Sequence, residues 1–113
     1  MTVTEEADVR FEGFTPGTEI WGSTQANFLV RVPGRHLKEA AVLLNDPTAK
    51  MLAGLAGRED TQEFREEAAR IAGTLVFQDV LERGAPVESV VMVSNAFLEQ
   101  HPHIFERLKA ALS

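Results

Sequence analysis

The chain contains no cysteine. Disulfides, thiolate-ligated metals and cysteine nucleophiles are therefore excluded, and the composition fits the cytosol. No apolar run approaches the roughly 20 residues that a membrane-spanning helix needs. The opening MTVTEEADVR is acidic where a secretory leader is basic, so a cytoplasmic protein with no membrane partner is expected. Positive charge is also scarce: 11 lysines and arginines stand against 17 aspartates and glutamates, a formal net charge of −6. Binding a phosphate backbone requires a basic face, which argues against nucleic acid as the main partner. The sequence holds neither GxGxxG nor a P-loop fingerprint, and it has no GxSxG elbow and no HExxH. Linkers, repeats and low-complexity stretches are absent as well.

What remains is enough for one core. At 113 residues with 44% hydrophobic content, the chain should fold as a single domain with roughly 6,000 Å² of surface. Arginine outnumbers lysine eight to three, and alanine and glycine are plentiful, a pattern compatible with a GC-rich bacterial genome.

The longest helical pattern runs from Glu59 to Gly84. Asp60 and Glu63 have capping-box spacing, and Phe64, Ala68, Ile71 and Leu75 recur at steps of four and three. Gly84 and Pro86 close the pattern. Ala68, Ala69, Ala72 and Gly73 form a small-residue patch that allows another element to approach closely. Beyond it, Leu75, Val76, Phe77, Val80 and Leu81 surround the helix axis, implying burial on several sides. The same TLVFQDVL stretch is rich in strand formers, so periodicity leaves helix or strand open over Thr74–Glu82.

Ahead of it, Asp8–Phe14 alternates with period two, Thr15–Thr18 is a turn, Glu19–Trp21 reads as a second strand, and Ala26–Val32 as a third. Arg35–Asn45 reads as a helix on the spacing of Leu37, Ala40, Ala41 and Leu44. Asp46–Pro47 restarts a short helix ending at Gly57. The near-continuous apolar run Val87–Ser94 reads as a central strand covered on both faces. Ile104, Leu108 and Leu112 give the last helix its buried stripe. The expected fold is α+β, a two-layer sandwich with a mostly antiparallel sheet covered by helices, in the order β-β-β-α-α-α-β-α.

Candidate chemistry is sparse. Gly34, Arg35, His36 and Lys38 sit where a strand is expected to meet a helix. Free helix-terminal amides and three basic side chains there would suit a phosphate or carboxylate, although a plain turn explains the same residues. His101 and His103, with Glu99 and Glu106, flank a proline at a spacing that does not place two imidazoles on one helix face. Ser23, Thr24 and Ser94 are more simply turn or cap residues than nucleophiles. Asp79 is either a perturbed acid or the salt-bridge partner of Arg83.

Trp21, Phe77, Val80 and Leu81 are the candidate interface residues. The leading expectation is a small, non-enzymatic protein-interaction or homodimerising module without a cofactor. The alternative is a domain binding a small anionic metabolite at Gly34–Lys38, with a regulatory or weak enzymatic role.

Overall fold

In the computed structural model, residues 8–32, 34 and 37–113 are described. Strand β1 (Asp8–Thr15) leads through a 3-10 turn (Thr18–Trp21) into β2 (Ser23–Arg31) and β3 (Leu37–Asn45). Helices α1 (Asp46–Ala56) and α2 (Gln62–Arg83) follow, then β4 (Val90–Val93), α3 (Asn95–Gln100) and α4 (Pro102–Leu112). The sheet order is β1-β2-β3-β4, with β1, β2 and β3 antiparallel and β4 parallel to β3. The fold is α+β: three N-terminal antiparallel strands and one later strand, with helices packed on the sheet.

Helix α2 lies across the sheet and carries the core. Its buried residues are Phe64, Ala68, Ala69, Ala72, Gly73, Val76 and Phe77. The Phe28 ring of β2 meets the rings of Phe77 and Phe11 edge to face at 5.6 Å each, a geometry that favours aromatic pairs. Val30, Val42, Leu44 and Val93 extend this core along the sheet. Leu98, Ile104, Leu108 and Leu112 close it from α3 and α4. Thr74–Glu82 is helical throughout.

Individual segments depart from their sequence reading for identifiable reasons. Glu19–Trp21 is a 3-10 turn between two left-handed glycines, Gly17 and Gly22, and pairs with no strand. Leu37–Asn45 is a strand, not a helix. Ala40, Val42 and Leu44 supply the buried period-two set, but Ala41 and Leu43 between them are apolar too and mask the alternation. Likewise β4 is an edge strand with helices on one face, not a central strand covered on both.

The helix starts are capped one residue away from the expected acids. Asn45 accepts from the Thr48 amide at 3.2 Å, and Thr61 from the Phe64 amide at 3.0 Å. Asp46 and Asp60 instead share Arg65, at 3.1 and 2.8 Å, which ties the start of α1 to the start of α2. The Arg65 hydrogen bond holds the Asp60 carboxyl below its ordinary range.

Candidate functional site

Cross-strand partners share a face, so the register assigns every sheet residue to one of two surfaces. Ala26, Phe28 and Val30 of β2, with Ala40, Val42 and Leu44 of β3, face the helices. Gln25, Asn27 and Leu29 of β2, with Glu39, Ala41 and Leu43 of β3, lie on the opposite face, joined there by Val90 and Met92 of β4. The β1 side of this face is polar. Gln25 donates to Asn27 Oδ1 at 2.8 Å, and Asn27 donates to Thr15 Oγ1 at 2.9 Å.

The β4 side is apolar. Register places Val90 beside Ala41 and Met92 beside Leu43, a two-by-two apolar corner in which Ala41 is itself buried and Leu43 half-buried. Val90 is 54% exposed and Met92 48% exposed, an uneconomical arrangement for a lone subunit because apolar surface gains free energy by leaving water. Leu37, half exposed, lies at the far end of the same face.

A second feature lies behind β4 on the helix side. Val76, Val80, Val91, Phe97 and Ile104 floor a cleft of about 280 Å³, with Asp79, Arg83, Glu88 and His101 at its rim. Asp79 sits largely out of solvent and accepts from Arg83 Nε at 2.8 Å. Its other oxygen lies 2.9 Å from His103 Nε2. An ionised carboxylate only accepts, so Nε2 carries the proton. Burial pushes the Asp79 carboxyl up, but the hydrogen bonds from His103 and Arg83 together outweigh it and hold the group below its ordinary range.

His101 Nδ1 meets the Phe97 carbonyl at 2.9 Å, and its ring stacks on Phe97. The two histidines thus turn to different partners, and no group of three metal-ligating side chains converges among the described residues. Asp79 therefore ties α2 to α4. The Arg83 pairing is the structural one of the two alternatives read from the sequence.

The other expected site residues lie on other elements. Gly34 is a turn residue between β2 and β3, and Lys38 is an exposed residue of β3. The helix N-terminus on which the anion site depended is therefore replaced there by a hairpin. Arg35 and His36 lie outside the described residues. Ser94 caps α3 by accepting from the Phe97 amide at 3.1 Å, and Thr24 accepts from Gln62 at 3.4 Å.

Trp21 is 83% exposed and Ile20 78% exposed, on the 3-10 turn. Phe77, expected at an interface, is fully buried against the sheet, because the helix face it occupies is the one packed on Phe28. Val80 and Leu81 are half-buried and pack against the same core. The small-residue patch is likewise filled by the chain's own sheet. Sequence reasoning missed Val90, Met92 and Leu43. The signal for Val90 and Met92 is the unbroken VVMV run, which fits an apolar strand exposed on one face as well as one buried on both. Leu43 lies in the β3 segment whose alternation is masked.

Among the described residues no helix is long and apolar enough to cross a membrane. No protein-family model, curated protein or solved structure shows significant similarity to the chain.

Proposed function

We propose that this chain is an association module that pairs with a second copy of itself, using the apolar corner of the helix-free sheet face. The observation that carries this reading is the exposure of Val90 and Met92, beside Ala41 and Leu43, on a face over which none of the described helices packs. Neighbouring exposed apolar side chains of this kind mark interaction sites in soluble proteins. Asp79, Arg83 and His103 are committed to one another, which favours association over catalysis.

Light scattering and sedimentation across a dilution series test the reading. A dimer fraction that grows with concentration and is lost in Met92→Asp is expected. A strict monomer at high micromolar concentration overturns it. Stabilisation of the monomer by an anionic metabolite, lost in Lys38→Ala, would instead favour a small-ligand domain.

A further inference from the structure

Resting on that reading, we propose that the second copy docks edge to edge on β4, antiparallel, about a two-fold axis through Val91. The backbone shows which groups are available. Ala41 N–H donates to the Ser89 carbonyl at 2.8 Å, with Ala41 opposite Val90 in a parallel ladder. That bond turns the peptide groups of residues 89, 91 and 93 toward β3, since a strand residue's N–H and C=O point to the same side. The N–H and C=O of Val90 and Met92 therefore point off the sheet. Among the described residues, no loop backbone hydrogen-bonds to them.

The two edges of the sheet are treated differently. At β1 the outer strand carries Asp8, Arg10 and Glu12, and its pairing is interrupted between Phe11 and Gly13, where Gly13 has a φ of 118°. Charge and a bulge are the usual devices that stop a strand from adding to an edge. By contrast β4, Val90–Val93, has no charge, no proline and no irregularity. It is the edge left able to pair.

The occupant follows from self-complementarity. Val90 and Met92 are two residues apart, so a two-fold axis at Val91 sets Val90 opposite Met92 of the second copy and Met92 opposite its Val90. Both pairs are then doubly hydrogen-bonded, using the amides and carbonyls that point outward. Both pairs also lie on the helix-free face, so the two apolar corners become one continuous patch backed by Leu43 and Ala41. No charged residue lies within the seam to oppose self-pairing in a chain of net charge −6. The strand is only about 13 Å long, so the contact falls short of the roughly 800 Å² per partner typical of stable complexes. Pairing is accordingly weak and concentration-dependent.

The absence of cysteine makes a direct test possible. Across the proposed axis, Val91 faces Val91 of the second copy in a non-hydrogen-bonded pair, with Cα atoms about 4.5 Å apart, inside the range a disulfide accepts. Mild oxidation of Val91→Cys should give a covalent dimer, whereas Leu37→Cys, exposed on the opposite face of the sheet and away from the axis, should not. A second variant tests the backbone alone. Met92→Pro removes an N–H that points away from β3 and breaks no existing ladder bond, a position where an edge strand accepts proline. It should keep its far-ultraviolet circular dichroism while its dimer dissociation constant rises at least about tenfold.

If the unaltered chain dimerises but Val91→Cys does not cross-link, or Met92→Pro dimerises as well as the unaltered chain, the edge geometry is wrong and self-association stands. If the unaltered chain is monomeric at high micromolar concentration, both readings fail together.

Discussion

Gly73 of α2 lies directly against the Phe28 ring of β2. A methyl group added to Gly73 would overlap that ring and come within 2.7 Å of a Val42 methyl. The ring has nowhere to go, because Phe28 is itself held between Phe11 and Phe77. Gly73→Ala should therefore destabilise the fold even though alanine is the better helix former by about 1 kcal/mol. Overpacking of a dense core costs on the order of 1–3 kcal/mol and here outweighs the helical gain. Chemical denaturation would check the sign: a Gly73→Ala variant more stable than the parent would mean that α2 stands farther from the sheet.

Acid should weaken the fold through carboxyls that are held low. Asp60, Glu67 and Asp79 all lie below their ordinary ranges, paired with Arg65, Arg58 and the His103–Arg83 couple. In the unfolded chain these groups take up protons near pH 4, before the folded chain does. Their contribution is thus complete above that range and is lost as pH falls through the lower folded values. Urea melts at neutral pH and near pH 3 should show the loss, and Asp79→Asn should flatten part of it. An unchanged pH slope in Asp79→Asn would show that the carboxylate is not paired in solution.

Among the described residues, Thr61 supplies the side-chain cap at the start of the 22-residue helix. Thr61→Ala should cost about 1 kcal/mol and lower the thermal midpoint by several degrees. Thr61→Asp should restore most of this. Failure of the aspartate to rescue would indicate that the Arg65 clamp on Asp60 fixes the helix start instead.

Trp21 is the sole tryptophan and is exposed. Its emission should be that of a solvated indole, be readily quenched by acrylamide and change little on unfolding. A blue shift that grows with protein concentration would bring Trp21 into the contact between copies. No shift would confine that contact to the sheet.

The long helix was legible because Phe64, Ala68 and Ile71 recur at steps of four and three, which a strand's period of two does not allow, and Gly84 ends it with a φ of 68°. Its buried face was read slightly off axis. Ile71 and Leu75 weigh heavily in a hydrophobic pattern yet sit at the edge of the contact, while Ala69, Ala72 and Gly73 occupy its centre. Small residues carry little hydrophobic signal, and what they contribute is closeness. Strands β3 and β4 were harder for the opposite reason. Alternation marks a strand only when one face is polar, and here Ala41, Leu43, Val90 and Met92 remove the contrast. The residues that hid the strand pattern are the ones that form the candidate contact.

The asymmetry between the sheet's two edges limits how far such pairing can run. Two copies joined through β4 would form an eight-stranded sheet whose outer rims are both β1, each with its Asp8, Arg10 and Glu12 and its bulge. Because the two-fold contact uses the same strand from both copies, it leaves no second β4 to recruit a third. A chain with one receptive edge and one refusing edge makes pairs and stops, so the exposed valine and methionine need not lead to fibres.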